Sequence, residues 1–470
     1  MKRTLAFAAL LALASCAVGP NYRAPTPAEL HAPEAWHAPI PEGAATGDLS
    51  VWWQQLGDPV LSGLIEDSLA ASPDLDLARA RLREARARRN LAVAGLLPSV
   101  DVSASAGTSR SNGSSGERYD AGFDASWEPD VFGGGRRSIE AANADLASSE
   151  ASLHFTQVSL AAEVALNYVD VRSLESRIEI AEENLKRQGE TLDLTGWRFQ
   201  AGLVSQLDVD QARAAREQTR AQIPSLQTSL EAAKNRLAVL LGQAPGAVED
   251  RLAEPAPIPP VPEQVIVAIP ADVLRQRPDV QAAERALAAQ TARIGVAEAA
   301  RYPGFRLSGS LGVGGISLAA LTGGSSLAHS LALSVAETIF DGGRLAQQVE
   351  IQKAGEQEAL ASYRSTVLLA LEEVENALVS LARTRDRLEA LRLADQSARS
   401  AADLARQRYS TGLTDFQTVL DAERTELSTA DNLKSTEADL TTALIQLYKA
   451  LGGGWSASDP VAANPQGTSR

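Results

Sequence analysis

The feature that most constrains this chain is that it is written twice. Pro73-Asp74 opens a helical stretch that closes at Leu97-Pro98. Pro278-Asp279 opens another that closes at Tyr302-Pro303, each second-copy proline lying 205 residues after its first-copy counterpart. Phe132 and Phe340, in FGGGRR and FDGGRL, lie 208 apart; Gly202-Leu203 and Gly412-Leu413 lie 210 apart, as do Leu241-Gly242 and Leu451-Gly452. Landmarks in one order at a nearly constant offset mark a tandem duplication, and a period of about 200 residues is far longer than that of any solenoid. The two halves, 58–254 and 270–454, flank a Pro-rich linker at 255–269 that contains PAPIPPVPEQ and reads as extended chain.

Each half repeats one pattern. A helix comes first, Asp74–Leu97 or Asp279–Tyr302. Two alternating stretches follow, at about 99–109 and 119–128, and again at about 304–314 and 327–336. Val100, Val102, Ala104 and Ala106 alternate with polar residues, as do Tyr119, Ala121, Phe123, Ala125 and Trp127. Phe305, Leu307, Gly309, Leu311 and Val313 do the same, and so do Leu327, Leu331, Leu333 and Val335, with His329 breaking the row. A period of two gives each strand one apolar face. RSNGSSGER (110–118) and the Gly/Ser-rich stretch 314–326 read as loops.

Very long helices come next. Ser138–Arg198 has no proline, and glycine only at 189 and 196. Leu160, Val164, Asn167, Val171, Leu174, Ile178, Ala181 and Leu185 step alternately by four and three, which is a heptad seam. Leu345–Tyr409 is the counterpart. At about 1.5 Å per residue these helices are about 90–100 Å long. RFQAGLVSQLDV (198–209) and RYSTGLTDFQTV (408–419) read as sharp reversals, leading into return helices Ser205–Leu241 and Asp415–Leu451. Pro224 is expected to kink the first return helix or remove a hydrogen bond from it. The first helix and the return helix of a half, 24 and 37 residues, together match the 61 of the long one. Each half therefore reads as a long rod beside two stacked shorter rods, with a two-strand ribbon at one end. Phe132, Gly133 and Arg136, and again Phe340, Gly342 and Arg344, fall at the strand-to-helix corner. A phosphate loop would need Lys-Ser/Thr after the glycines, and neither copy has it.

The N-terminus reads as a targeting device over 1–15. Lys2 and Arg3 precede a short apolar run, Leu5 to Leu13, ending in Leu13-Ala14-Ser15-Cys16. Small residues before the chain's single cysteine resemble a bacterial lipoprotein processing site, with Cys16 as the acylated residue, residues 16–57 as a lipid-anchored arm and 455–470 as a C-terminal tail. In lipoproteins of this kind an Asp after the Cys resembles an inner-membrane retention signal. Ala17 stands there instead, which points to the outer membrane of a Gram-negative cell. Loss of Lys2 and Arg3 leaves 42 basic against 59 acidic side chains, a net charge of −17, which argues against nucleic acid. The chain is 44% hydrophobic and only 4% aromatic, which suits an ordered, largely helical protein.

No later segment reads as a transmembrane helix, so a chain that crosses a membrane by its own fold must do so with strands. Strands of about ten residues are long enough. Four cannot close a barrel, and an open edge in lipid leaves backbone groups unpaired, so the chain is expected to oligomerise. Two copies would give eight strands and a filled barrel, three would give twelve and an open lumen.

Six stretches carry a family resemblance: Cys16 followed by GPNYRAP (19–25), WWQQLGDPVLSGLI (52–65), WEPDVFGGGRR (127–137), RFQAGLVSQLDV, LRQRPDV (274–280) and YSTGLTDFQTVLDAERTEL (409–427). They resemble the TolC-like outer-membrane efflux factors, in their OprM/NodT-like lipoprotein branch. The resemblance implies a mixed α/β membrane protein. Long α-helical coiled-coil hairpins would form an α-barrel, and four transmembrane β-strands per protomer would join a trimeric twelve-strand β-barrel. It implies an exit duct of a tripartite RND-type pump, served by a periplasmic adaptor (membrane fusion) protein and an inner-membrane transporter, with no cofactor. It also places Asp208, Tyr409, Thr418 and Asp421 at the periplasmic gate, and Gly202, Leu203, Gly412 and Leu413 at the tip where the adaptor docks. Thr414 stands where one known pattern has a basic residue, which puts the corresponding inter-subunit salt bridge in doubt.

An enzyme is not indicated. The four histidines, 31, 37, 154 and 329, are scattered, and no hydrolase, metal or paired-cysteine motif is present. His154 reads as a polar seam or surface residue, and Trp52-Trp53 as an anchor for the N-terminal arm. The rival readings are a non-channel coiled-coil structural or adaptor lipoprotein of the periplasm and, within the duct class, a protein-secretion exit duct.

Overall fold

The computed structural model describes residues 17–456 apart from 31, 41–43, 46, 112–113 and 320–326; Cys16, the targeting segment and residues 457–470 lie outside the described residues. After a 3-10 turn, Trp52–Leu56, the helices are α1 (Pro59–Ala71), α2 (Pro73–Ala94), α3 (Gly134–Gln200), α4 (Gln206–Leu240), the short α5 (Glu249–Leu252), α6 (Pro270–Gln276), α7 (Pro278–Ala299), α8 (Arg344–Ser410) and α9 (Phe416–Ala450). The strands are β1 (Ser99–Ser111), β2 (Ser114–Trp127), β3 (Gly304–Gly315) and β4 (Leu327–Ala336). Among the described residues no helix is long and apolar enough to cross a membrane.

The duplication is visible in the lengths. The α2/α7 pair have 22 residues each, α3 and α8 have 67, and α4 and α9 have 35. The long helices begin earlier than the sequence pattern indicates, at Gly134 rather than Ser138 and at Arg344 rather than Leu345, because an aspartate caps each of them. Asp130 accepts from the backbone N–H groups of Gly135 and Arg136 at 3.0 and 2.9 Å. Asp341 accepts from those of Gly343 and Leu345 at 2.9 Å each. Part of each glycine corner is thereby drawn into the first helical turn. The shorter helices total less than the long one, and the difference is taken up at a junction. Gly242, at φ +71°, lies so close to Ala71 that an added Cβ would come within 2.5 Å of its carbonyl oxygen. Gly452, at φ +80°, packs on Arg277 in the second copy. At Gly242 only glycine fits both the positive φ and the contact, and at Gly452 the positive φ favours glycine where an added Cβ would crowd Arg277 at 3.2 Å. Pro224 does not break α4, which runs through it with the ring on an exposed face, and its carbonyl accepts from Thr228 Oγ1 at 2.9 Å.

The chain divides into two compact units. The first takes the described residues up to Leu30, Arg79–Ser152 and Asp279–Thr366. At its heart is a four-stranded antiparallel sheet in the order β1-β2-β3-β4. Register decides its character. Val102, Phe123, Leu311 and His329 stand opposite one another in a single row across the sheet. The rows beside it hold Ala104, Ala121, Val313 and Leu327, and Val100, Ala125, Gly309 and Leu331. Every apolar alternation thus falls on one face of one sheet. The opposite face carries Asp101, Asp124, Ser310 and Ser330 in one row and Ser103, Gly122, Gly312 and Ala328 in the next. Ser103 donates to Asp124 at 3.0 Å, and the Ser310 and Ser330 hydroxyls meet at 2.7 Å. Within this protomer every residue of β4 is exposed, and β1 and β4 end the sheet.

Beside the sheet, Phe132 stacks on Tyr302 at 4.7 Å. The N-terminal arm covers this corner. Val18 N–H donates to the Phe132 carbonyl, and the buried Arg137 donates to the carbonyls of Val18 and Gly19, to Asn21 Oδ1 and to Glu140. At the second corner Phe340 is 90% exposed.

The second unit takes the described residues from 32 to Ala78, Leu153–Pro278 and Val367 onward. Trp52 and Trp53 are buried edge to face at 5.9 Å, and Trp52 also meets Tyr448 at 5.7 Å. Asp58 caps α1 through Val60 and Leu61 and accepts the Tyr168 hydroxyl at 2.6 Å. Burial, with Asp58 beside it, pushes the Tyr168 phenol up to about 12. His154 is buried, stacked on Trp455 at 4.5 Å with Nδ1 2.9 Å from Gln157. The heptad seam is real packing: Leu160, Val164, Val171, Leu174 and Ala181 are all buried.

Candidate functional site

The two helical reversals are where the sequence concentrates its unusual residues, and they are built alike. Leu203 N–H donates to the Arg198 carbonyl and Gly202 N–H to the Phe199 carbonyl, at 2.8 and 2.9 Å. Leu413 to Arg408 and Gly412 to Tyr409 repeat this at 2.8 and 3.0 Å. This is a Schellman closure, with Gly202 at φ +73° and Gly412 at φ +79° in the left-handed position. Leu203 and Leu413 remain exposed at 66% and 76%.

The return helices start from different caps. Ser205 and Asp208 form a reciprocal capping box, in which Asp208 Oδ2 accepts from Ser205 N–H at 2.8 Å and from its hydroxyl at 2.7 Å. In the second copy Asp415 is the cap, accepting from Thr418 N–H at 3.0 Å and from its hydroxyl at 2.6 Å. Those two bonds hold the Asp415 carboxyl below the usual carboxylate range, the hydroxyl contributing most.

Tyr409 does not face solvent; it is 1% exposed. Its hydroxyl donates to Thr195 Oγ1 at 3.3 Å, and its ring meets Phe416 at 5.9 Å. Arg198 lies over the ring and donates to the Tyr409 carbonyl. With Ala212, Ala215, Ala405, Val419 and Leu420 these rings form one buried cluster that joins the two hairpins. Thr418 and Asp421 are exposed, and Asp421 accepts from Gln417 at 3.0 Å. The structure therefore places Tyr409 inside the bundle, Asp208 and Thr418 in helix caps, and Asp421 on an exposed face of α9. Sequence reasoning missed Arg198, Thr195 and Phe416 as partners. Arg198 and Phe416 belong to the reversal motifs, but nothing in a motif says which residues cross to the other hairpin.

Above the tip, α3, α4 and α9 wall an open groove of about 680 Å³, lined by Arg177, Gln188, Gln218, Thr219, Arg424 and Asp431 among others. Arg177 pairs with Asp431 at 2.7 Å. Gln188 is buried, and its Oε1 has no partner among the described residues.

The profile of the outer membrane efflux proteins matches residues 64–243 and again 269–453, once for each half. The chain belongs to the outer membrane efflux protein family. Nodulation protein T of Rhizobium leguminosarum bv. trifolii is 34% identical over 462 residues, 95% of this chain and 96% of that one. The outer-membrane channel OprN superposes with a TM-score of 0.87 at 38% identity, covering 94% of this chain and all of that one. The open state of the MtrE outer membrane channel of Neisseria gonorrhoeae superposes with a TM-score of 0.82 at 29% identity, covering 94% and 99%. Both of these solved structures are outer-membrane channels, and the mixed fold of long helices and a four-stranded sheet is the fold of the efflux proteins. The protein is an outer-membrane efflux channel.

Proposed function

We propose that this efflux protein is the outer-membrane exit duct of a tripartite pump and works as a homotrimer anchored through a lipid on Cys16. The observation that carries the reading is the sheet, with one face that is apolar across its three central rows apart from His329, one polar face and two uncovered edges. In lipid, each unpaired edge group costs several kcal/mol, so β1 and β4 call for the strands of neighbouring copies. Twelve strands enclose an open bore with the serine- and aspartate-bearing face inward. The exposed Phe340 corner, beside β4, supports contact with a second copy.

Cargo enters at the helical reversals. Asp208, Tyr409, Thr418 and Asp421 form the periplasmic gate, in which carboxylates repeated around a narrow bore repel one another and attract cations. A periplasmic adaptor docks at Gly202, Leu203, Gly412 and Leu413, with the groove beside Gln188 and Arg424 open to its polar side chains. An inner-membrane transporter, of RND type, drives the cargo, and the duct itself uses no cofactor. Conductance of reconstituted trimers tests this. The Asp208→Ala/Asp421→Ala double variant is expected to conduct more than the parent, and unchanged conductance would place the constriction elsewhere. A coiled-coil spacer, the rival reading, leaves the lipid-compatible face of the sheet without a purpose.

A further inference from the structure

Glu423 and Glu426 lie three residues apart on α9, and both are 3% exposed. Carboxylates are seldom buried this deeply without a compensating partner. Glu426 accepts from Arg187 of α3 and, at 3.2 Å, from Arg406 of α8. Glu423 accepts from the Thr191 hydroxyl of α3 at 2.7 Å. The arginines reach outward to further acids, Arg187 to Glu183 at 2.5 Å and Arg406 to Asp403 at 2.8 Å. Two neighbouring side chains of one helix thus hold both the other helix of their own hairpin, α8, and the long helix of the first hairpin, α3. The gate reading gives this cluster no task.

We propose that Glu423 is the proton-responsive member of a latch, completed by Glu426, Arg187 and Arg406, that ties the second hairpin to the first and tightens when Glu423 takes up a proton. The latch itself is independent of the gate; only its effect on conduction rests on the reading of the helical reversals as the constriction.

Its direction follows from the surroundings. Burial raises the Glu423 carboxyl above the usual range. The Thr191 hydroxyl, Arg406 and Arg187 oppose that rise, and Glu426 adds to it. In a released latch Glu423 meets water and returns toward its ordinary value. The packed arrangement therefore binds the proton more tightly than the released one. Packing gains stability as pH falls through the raised value, and loses that advantage as pH rises above it. A neutral Glu423 also leaves both guanidiniums to Glu426. Acid closes this joint, whereas a simple ion-pair latch would be loosened by acid.

Hydrogen exchange on the full-length lipidated trimer in detergent tests this, with rates corrected for their intrinsic pH dependence and measured at about pH 5.5 and about pH 8. In the parent, amides of Val419–Ala430 are expected to be protected several-fold better in acid. Glu423→Gln, neutral at both pH values and still able to accept from Thr191, is expected to keep the acid-level protection throughout. Equal protection of the parent at both pH values overturns the proposal, as does a Glu423→Gln protein that still follows pH like the parent. If Glu423→Gln fails to assemble, the parent comparison alone decides. Single-channel conductance on the same trimers separates the two readings. Protection that follows pH while conductance does not removes the gate from this tip and leaves the latch standing.

Discussion

The Arg198 guanidinium carbon stands 4.5 Å from the centre of the Tyr409 ring, joining the last turn of α3 to the last turn of α8. A cation over an aromatic face contributes about 0.5–2 kcal/mol, more as water is excluded. Tyr409→Phe keeps the ring and loses only the hydroxyl bond to Thr195, so about 0.5–1.5 kcal/mol is expected. Tyr409→Ala empties the cluster and is expected to cost about 3–5 kcal/mol. Urea titration of the helical signal ranks the two, and a Phe variant as damaging as the Ala variant would refute the packing role.

Asp208 sits in a helix cap as well as at the proposed gate, and the two roles separate experimentally. Ser205→Ala breaks the capping box and leaves the carboxylate in place, costing about 0.5–2 kcal/mol. If charge at Asp208 controls the bore, conductance is expected to rise in Asp208→Ala and to stay at the parent level in Ser205→Ala. A matching rise in both would assign the effect to fraying of α4.

The cap of the second hairpin is expected to weaken in acid. The Asp415 carboxyl is held low by Thr418, so its contribution is complete above the ordinary carboxylate range and fades as pH falls through the depressed value. Glu423 responds in the opposite sense and on the other side of that range. Exchange rates of the first turn of α9, followed in acid for the parent and for Asp415→Asn, check the sign. The parent's protection is expected to converge on that of the variant as pH drops.

Leu331 and Ser330 are sequence neighbours on opposite faces of β4. An arginine on a lipid-facing strand position costs about 2–4 kcal/mol near the bilayer midplane. Leu331→Arg is therefore expected to reduce the heat-modifiable, folded fraction in outer membranes. Ser330→Arg is expected to assemble and to shift the reversal potential toward anions. Equal assembly of the two would show that the apolar face does not meet lipid.

Arg137 holds the arm through Val18, Gly19 and Asn21. Arg137→Gln is expected to cost about 1–3 kcal/mol, since hydrogen bonds to a charged group are lost in a buried place. Limited proteolysis followed by mass spectrometry is expected to cut within 17–30 in the variant and not in the parent.

The element order was legible in the sequence because duplication states it twice. A period of two along Val100–Ala106 and of three and four along Leu160–Leu185 leaves little choice of structure. Helix starts were less legible, because the capping aspartates, Asp130 and Asp341, sit on the strand side of the glycines. Alternation predicted an apolar face for each strand but not that all four faces coincide, since register depends on pairing between residues as distant as Phe123 and Leu311. The site was legible as a location and much less as a set of roles. Tyr409 is in a recognisable motif, yet its burial depends on Thr195 and Arg198, over two hundred positions away. The buried acids Glu423 and Glu426 look like ordinary surface residues of a charged helix until α3 and α8 are packed against them.

Residues 17–21 lie over one of the two corners that the duplication made alike. FGGGRR must therefore accommodate a piece of its own chain, while among the described residues FDGGRL stays exposed at Phe340. Mutational drift is expected to be unequal at the twin motifs, slow at the first and free at the second to follow whatever surface it comes to meet.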